Sequence, residues 1–204
     1  MTVKRALVAM LTAGCAAAAS GCGASNATTT TVRPVPTVTV WSGMPYRGPQ
    51  REQTLAYARA IRGAIHDLRD LPRGYRVRYV ALDDSSEAEK GWDPAVVAGN
   101  ARKASLAPST IAYLGDLDSG ATAVALPILN QSGVLQLSAT STAEGLTRAG
   151  VGAGPGAPYQ YYPSGRRTFA RMVPHDALQG SLIAAMAAHR HCSSLAIIDD
   201  GSIY

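Results

Sequence analysis

Apolar and polar positions along the chain follow two different periods. Short runs rich in Val, Ile and Leu alternate with longer stretches in which apolar residues recur every three or four positions, as on one face of a helix. The first pattern predicts strands at residues 37–42, 74–82, 110–114, 134–138, 168–173 and 195–198. The second predicts helices at residues 52–68, 94–106, 120–131 and 176–189.

The regular order of strand and helix indicates the fold class. Strands that are apolar throughout and joined by helices are typical of a parallel sheet with helices on both faces. We therefore predict a doubly wound α/β fold. Asp93 followed by Pro94 is a helix start signal, which places the beginning of the second helix at residue 94.

The N-terminus has the pattern of an export signal. Lys4 and Arg5 precede an uncharged run, residues 6–19, which at about 14 residues is shorter than the roughly 20 needed to span a bilayer. The following sequence Ala19-Ser20-Gly21-Cys22 resembles the bacterial lipobox, although a larger aliphatic residue is usual where Ala19 stands. We expect a signal peptide at 1–21 and lipidation of Cys22, which would place the protein outside the cytoplasm, anchored to the cell membrane by lipid.

Two alternatives for this segment remain open. Cys15 is a competing lipidation site, although it would leave a short apolar region, and Cys22 could simply follow an ordinary secretory cleavage site. Residues 23–36 are rich in Thr, Ser, Gly and Pro without an apolar period, so residues 22–36 are predicted to form a flexible tether.

Composition and charge exclude several classes of function. The 204 residues carry a net charge of +5, but the basic residues are scattered and form no basic stripe with interleaved aromatics, so no nucleic-acid partner is expected. With cleavage before Cys22 and lipidation of Cys22, Cys192 would be the one free thiol left, which rules out a disulfide framework in this chain. His189, His191 and Cys192 are too close together for the separated ligand pairs of a zinc site, and neither metal nor cofactor is expected.

Two strand ends carry candidate binding groups. In an open parallel sheet the ligand crevice lies outside the carboxyl ends of the strands. Ser119 opens a helix after the strand at 110–114, and residues 138–142 place four hydroxyl groups after the next strand. A helix cap and an ordinary polar loop remain the alternatives. The glycines between residues 150 and 156 neither follow a strand nor open a helix, so a phosphate site is not expected there.

Three segments together carry a family resemblance. They are YLGDLDSGATAVALPILNQSGVLQLSATSTAEGLT (113–147), RTFARMVPHDALQG (167–180) and SLAIIDDGSIY (194–204). The chain resembles the class I periplasmic binding proteins of branched-chain amino acid ABC transporters, here in a lipoprotein form. The resemblance implies a first lobe at 37–173 and the start of an incomplete second lobe at 174–204, because members of the family are longer.

The same resemblance implies the roles of individual residues. Ser119 would bind a ligand carboxylate. Thr140 would offer its backbone carbonyl to the ligand ammonium, and Thr142 its hydroxyl and N–H. Tyr204 would face the ligand from the second lobe. Tyr46 would form an aromatic wall, a role for which Trp41 competes.

Two acidic residues depart from the family pattern. Asp118 stands next to Ser119, where the family usually has an uncharged residue, and Asp116 is also acidic. Acidic groups oppose carboxylate binding, so a ligand other than an α-amino acid is an open alternative.

The resemblance implies a solute-binding lipoprotein that captures a branched-chain amino acid or related small polar metabolite between two lobes for ABC permease subunits. The alternative is a ligand-sensing receptor domain coupled to a signalling partner. An enzyme is not expected, because the chain has no Gly-x-Ser-x-Gly nucleophile elbow.

Overall fold

Strands and helices alternate along the residues that the computed structural model describes, which are 34–68, 74–89 and 91–198. The strands are β1 (Thr37–Met44), β2 (Arg76–Asp83), β3 (Thr110–Gly115), β4 (Leu135–Ser138) and β5 (Phe169–Arg171). The helices are α1 (Arg51–Asp67), α2 (Pro94–Leu106), α3 (Ser119–Gln131) and α4 (Asp176–His189). Two short 3-10 turns, Glu144–Leu146 and Tyr159–Tyr161, interrupt the long connection between β4 and β5.

Several predictions concern residues outside the described ranges. The signal peptide at 1–21, the lipidation of Cys22, most of the tether and the role of Tyr204 all fall there. Within the described ranges, none of the helices combines the length and the apolar character that a membrane crossing requires.

The five strands form one parallel sheet in the order β2-β1-β3-β4-β5. This arrangement confirms the predicted α/β fold. The strand order reverses between β1 and β3, since the chain moves to one side of β1 for β2 and to the other side for β3. Such a switch point opens a crevice at the carboxyl ends of the two strands.

Helices cover the two faces of the sheet differently. On one face, α2 and α3 pack over β1 and β3, and this core includes Trp41, Tyr113 and Leu129. On the other face, α1 lies near β1 and β2, where the Arg62 guanidinium stands 5.7 Å from the centre of the Tyr79 ring. Residues 79 and 80 alternate between the faces, as neighbours in a strand do, because Val80 packs against the α2–α3 core.

The start of α2 shows how local sequence sets a helix boundary. The side chain of Asp93 accepts hydrogen bonds from the N–H groups of Ala95 (2.8 Å) and Val96 (3.3 Å), and Pro94 occupies the first helical position. Pro94 has no N–H to leave unsatisfied, and the carboxylate satisfies two of the free donors of the first turn. The predicted start at residue 94 is confirmed.

The predicted strand at 195–198 is wrong. These residues belong to none of the strands within the described ranges, and Ile197 and Ile198 are 93% and 95% exposed. A strand needs a neighbour for its backbone groups, and an apolar run alone does not provide one. The helix before it, α4, follows its predicted bounds, but none of its residues is buried.

Candidate functional site

The carboxyl edge of the sheet brings together two of the predicted binding segments. The Ser119 hydroxyl oxygen accepts hydrogen bonds from the backbone N–H groups of Thr142 and Ala143, each at 3.1 Å. The start of α3 and the loop after β4 are therefore direct neighbours. The Thr142 N–H that was expected to meet a ligand donates to Ser119 in this structure.

The loop after β4 is fixed by hydroxyl groups. Thr140 donates its hydroxyl hydrogen to the carbonyl oxygen of Leu117 at 2.6 Å. Ser138 and Ser141 both donate to the carbonyl oxygen of Asp116, at 2.8 and 3.3 Å. The Ser/Thr cluster thus ties the loop to the end of β3, and it does so with short side chains that leave the backbone close to the crevice.

Tyr46 lies in the loop after β1, at the same edge. Its backbone N–H donates to Asp83 Oδ1 at 2.9 Å, which links the ends of β1 and β2. Burial, and next the neighbouring Tyr79, raise the pKa of Tyr46 to about 12. Trp41, the competing residue, is a core side chain whose indole N–H donates to Thr110 Oγ1 at 2.7 Å, away from the edge.

A cavity of about 160 Å³ opens among the strand ends. Thr140 is one of its lining residues, together with residues 115–117 at the end of β3. The other lining residues come from three strands, two loops and α1, and are mostly apolar: Met44, Tyr57, Ile61, Leu114, Leu137, Ala139 and Met172. The cavity can hold an apolar group at the edge where the polar loops meet.

Two buried aspartates lie beneath this edge, and the sequence reasoning missed their pairing. Asp84 follows β2 and Asp116 follows β3, and their carboxyl groups are close enough to influence each other's pKa. They are 0% and 1% exposed. Tyr113 donates to Asp116 Oδ1 at 3.1 Å, and Asn100 donates to Asp84 Oδ1 at 2.8 Å. Their positions directly after two strands were the available signal.

Burial raises the pKa of both carboxyl groups in this pair. Desolvation raises the pKa of Asp84 to about 7, against the hydrogen bond from Asn100, which lowers it. Burial, and then the charge of Asp84, raise the pKa of Asp116 well above its ordinary value. One proton shared between the two carboxyl groups lets them lie in contact without repulsion.

Gly43 makes room for the pair in the middle of the sheet. A Cβ atom at this position in β1 would overlap the Tyr113 hydroxyl and come within 2.8 Å of Asp116 Oδ1. Because Gly43 has no side chain, Tyr113 and Asp116 from the β3 side can extend past β1 toward Asp84 at the end of β2.

Asp118 is the N-cap residue of α3, but its side chain makes no capping hydrogen bond. Its Oδ1 accepts from Gln50 Nε2 at 2.8 Å, and Gln50 is the N-cap residue of α1. Its Oδ2 is covered from solvent and has no hydrogen-bond partner within the described residues. Burial raises the pKa of Asp118, and the Gln50 hydrogen bond opposes that rise.

The loop after β4 contacts the start of α4. His175 Nδ1 lies 2.6 Å from Oε2 of the buried Glu144, while Arg148 Nε lies 3.3 Å from the other carboxylate oxygen. The backbone N–H of Asp176, the first residue of α4, donates to the Thr142 carbonyl oxygen at 3.0 Å. The loop that carries Thr142 is thus joined to the helix that follows it.

The possible metal ligands of the fold are its His, Cys, Asp and Glu side chains. Across the part of the chain that the structure describes, no group of three or more His, Cys, Asp or Glu side chains is placed to hold a metal ion. Cys192 is a free, exposed thiol.

Comparison with known proteins identifies solved structures with the same fold. No protein-family model and no curated protein matches the sequence. Among solved structures, LivJ of Streptococcus pneumoniae, a branched-chain amino acid substrate-binding protein in complex with isoleucine, is 19% identical with a TM-score of 0.58, and the match covers 76% of this chain and 38% of that one.

Two further structures give the same result. A solute-binding protein of an ABC transporter from Rhodopseudomonas palustris BisB5, in complex with 3,4-dihydroxybenzoic acid, is 18% identical with a TM-score of 0.59, covering 76% and 36% of the two chains. The leucine-binding protein LivK of Thermotoga maritima is 21% identical with a TM-score of 0.51, covering 76% and 37%.

These likenesses establish the fold and its extent. The structural neighbours are class I periplasmic binding proteins, and the chain spans less than two fifths of the length of each of the three. The predicted resemblance is confirmed at the level of the fold.

Proposed function

We propose that this chain belongs to an extracytoplasmic solute-binding lipoprotein of an ABC importer, and that its carboxyl edge forms the first-lobe half of a ligand site. One observation carries the proposal: the loops after β1, β3 and β4 meet at the switch point of a parallel sheet whose structural neighbours are solute-binding proteins. The ligand would be a branched-chain amino acid or a related small polar metabolite. ABC permease subunits would be the partner.

The site we propose uses the loops at this edge. Thr140 lines the cavity, Ser119 and Thr142 are in contact beside it, and Tyr46 lies in the loop after β1. Tyr204 would contribute from the second lobe. Hydrogen bonds at the edge hold these loops in place before a ligand arrives, which reduces the ordering cost of binding.

Ligand-induced shifts of backbone amide NMR signals in the isotope-labelled chain test this site. Leucine, isoleucine, phenylalanine and 3,4-dihydroxybenzoate, with neutral and cationic analogues, form the panel. We expect at least one of them to shift the amides of residues 119, 140 and 142 in a saturable way, while Gly180 in α4 stays unchanged. A folded sample in which no compound shifts these amides contradicts the proposal.

Lipid anchoring is tested separately, since it concerns a different part of the chain. Growth of an expressing bacterium with labelled palmitate should label the protein. Cys22→Ser should abolish the label, and the matched variant Cys15→Ser should keep it. Labelling that survives Cys22→Ser, or that is lost only in Cys15→Ser, contradicts the assignment of Cys22.

A further inference from the structure

Basic side chains that are scattered along the sequence come together at the amino edge of the sheet, where the parallel strands begin. Arg76 and Arg78 lie on β2, which is an edge strand, and line an open groove there. Arg102 and Lys103 lie near the end of α2, and Arg166 comes shortly before β5. All five residues are exposed. We refer to this set as the basic amino edge.

Two side-chain contacts link the ends of the helices to this edge. The Thr110 hydroxyl, at the start of β3, donates to the carbonyl oxygen of Ala104 in the last turn of α2 at 2.7 Å. The side chain of Asn130, in the last turn of α3, donates to the backbone carbonyl oxygen of Arg166 at 2.8 Å. The helices run back across the sheet, so their last turns lie where the next strands begin.

Acidic side chains occupy the opposite end of the fold. Within the described ranges, every Asp and Glu except Asp67 lies at the end of a strand, in a loop that follows one, or in the first turn of the next helix. The exception, at the end of α1, lies 3.4 Å from His66. The fold therefore separates its charges along the strand direction, with basic groups at the amino edge and acidic groups at the carboxyl edge.

The basic residues of the two edges also differ in their partners. At the carboxyl edge, Arg47 pairs with Asp83 at 3.6 Å, and Arg148 pairs with Glu144 at 3.3 Å. Among the described residues, no side chain of the basic amino edge makes an ion pair. Because no carboxylate of the fold neutralises them, these exposed charges attract anions outside the protein.

The predicted tether reaches the fold at this same edge. The Arg76 N–H donates to the Pro36 carbonyl oxygen at 2.9 Å, so the segment before β1 ends beside the first of these arginines. About 14 residues separate Pro36 from Cys22, and a flexible chain of that length spans about 20 Å on average. With a lipid on Cys22, the tether would keep the amino edge within about two to three screening lengths of the membrane surface at physiological salt.

The five charges cover an area and do not converge on one cavity. Arg76 and Arg78 line one groove, whereas Arg166 lines another, beside the turn between α3 and β4. The set extends across the sheet from β2 to the residues before β5, which is the whole width of the described sheet. Charges spread in this way suit a surface of many phosphate groups better than a single small anion.

We propose that the basic amino edge docks on the anionic headgroups of the membrane that holds the lipid anchor. This inference rests on the lipoprotein part of the proposed function. Headgroup phosphates accept hydrogen bonds from guanidinium groups, and each basic residue near the surface adds to the attraction. The crevice lies at the other end of the strands, of which β1 has eight residues, so it is held about 25 Å from the lipid and open to solution.

Vesicle sedimentation with residues 23–204 tests the docking without the lipid anchor. Every described strand and helix and both hydrophobic clusters lie after residue 36, so the shortened chain keeps the core of the described fold. We expect it to bind vesicles of equal parts phosphatidylglycerol and phosphatidylcholine at low salt, and pure phosphatidylcholine vesicles at least about tenfold more weakly. Equal binding to both, or binding to neither, overturns the inference.

Paired substitutions locate the contact. Arg76→Gln combined with Arg78→Gln should weaken binding to the anionic vesicles by about tenfold, because two charges leave the docking surface. Arg51→Gln combined with Arg59→Gln removes the same charge from exposed positions of α1 and should weaken binding by less than about threefold. Equal losses in the two double variants would show that net charge drives binding, which overturns the assignment to the amino edge.

A salt series and two competitors test the unsubstituted sequence. Rising salt should release the chain from anionic vesicles. Inorganic phosphate should release no more chain than chloride at equal ionic strength, and a stronger release would indicate a small-anion site and overturn the proposal. A DNA duplex that binds more tightly than the vesicles at equal phosphate concentration also overturns it. The proposed function is decided separately, by the ligand-induced amide shifts and the palmitate labelling.

Discussion

Helices α3 and α4 have similar apolar compositions and opposite environments. Of the 13 residues of α3, eight are buried, whereas none of the 14 residues of α4 is. In α3, Leu126 and Leu129 are fully buried, each in a different hydrophobic cluster. In α4, Leu182 and Met186 are 58% and 60% exposed.

The difference teaches that an apolar helical sequence predicts a helix but not its burial. Helix α3 is held between the sheet, α2 and the loop after β4, so its apolar side chains lose contact with water on several sides. Helix α4 follows the last strand of the described sheet and gains no such neighbours there. Burial depends on the elements around a helix, and these are set by topology.

Truncating one leucine in each helix gives the largest expected effect. Leu129→Ala should lower the free energy of unfolding by about 3–4 kcal/mol, because it removes a fully buried side chain and leaves a cavity. Leu182→Ala, at a mostly exposed site, should change it by less than about 0.5 kcal/mol. Urea denaturation monitored by circular dichroism provides both values, and comparable losses would remove the contrast between the helices.

Adding one methyl group sharpens the comparison. Gly43→Ala should cost about 2–3 kcal/mol, because the new Cβ overlaps the Tyr113 hydroxyl beneath the α2–α3 layer. Gly180→Ala in α4 has no neighbouring atom within 4 Å and should stabilise the helix by up to about 1 kcal/mol. Chemical denaturation of the two variants side by side should show opposite signs. A neutral Gly43→Ala would mean that the hydroxyl moves away freely.

The buried acid pair beneath the crevice edge predicts that the stability of the protein depends on pH. Because the folded-state pKa of Asp84 is raised to about 7 and that of Asp116 is also raised, folding favours their protonated forms. The stability they contribute is complete below the ordinary carboxyl pKa and is lost as pH rises through about 7. We expect a loss on the order of 3 kcal/mol from pH 4 to pH 8.

Asp84→Asn checks the source of that dependence. Denaturation curves across the same pH range should become flatter for this variant, because an amide does not titrate. Glu89→Gln, which alters an exposed carboxylate, should keep the slope of the unmodified chain. Rising stability with pH in the unmodified protein would contradict the protonated pair.

The smallest expected effect concerns helix starts. Asp93→Ala removes the hydrogen bonds to Ala95 and Val96 and should cost about 1 kcal/mol. Thermal unfolding of Asp93→Ala and its conservative partner Asp93→Ser should place the serine variant closer to the unmodified chain.

Periodicity was sufficient for most of the fold. The bounds of α2 and α4 agree with the predicted 94–106 and 176–189, and the other described elements differ from prediction by one or two residues at their ends. The predicted strand at 195–198 was wrong because an apolar run does not reveal whether a neighbouring strand exists. The order of the strands in the sheet, and which strands become neighbours, depend on the topology of the fold and not on local periodicity.

Only part of the candidate site could be predicted from the sequence. Proximity of Ser119 to Thr142 follows from the rule that parallel strands present their carboxyl ends at one edge, and the structure places these residues in contact. The electrostatic coupling between Asp84 and Asp116 joins residues 32 positions apart in the sequence, past Gly43 of β1, and no local pattern encodes it. The absence of a hydrogen-bond donor to Asp118 Oδ2 within the described residues likewise depends on three-dimensional packing.

The hydrogen bond from the Asp176 N–H to the Thr142 carbonyl has a mechanical consequence. One backbone hydrogen bond joins residue 142 to the first turn of α4, so a movement of the helix as a rigid body either breaks this bond or carries the loop after β4 with it. A displacement of α4 would therefore change the position of the loop that carries Thr142, and with it the shape of the crevice.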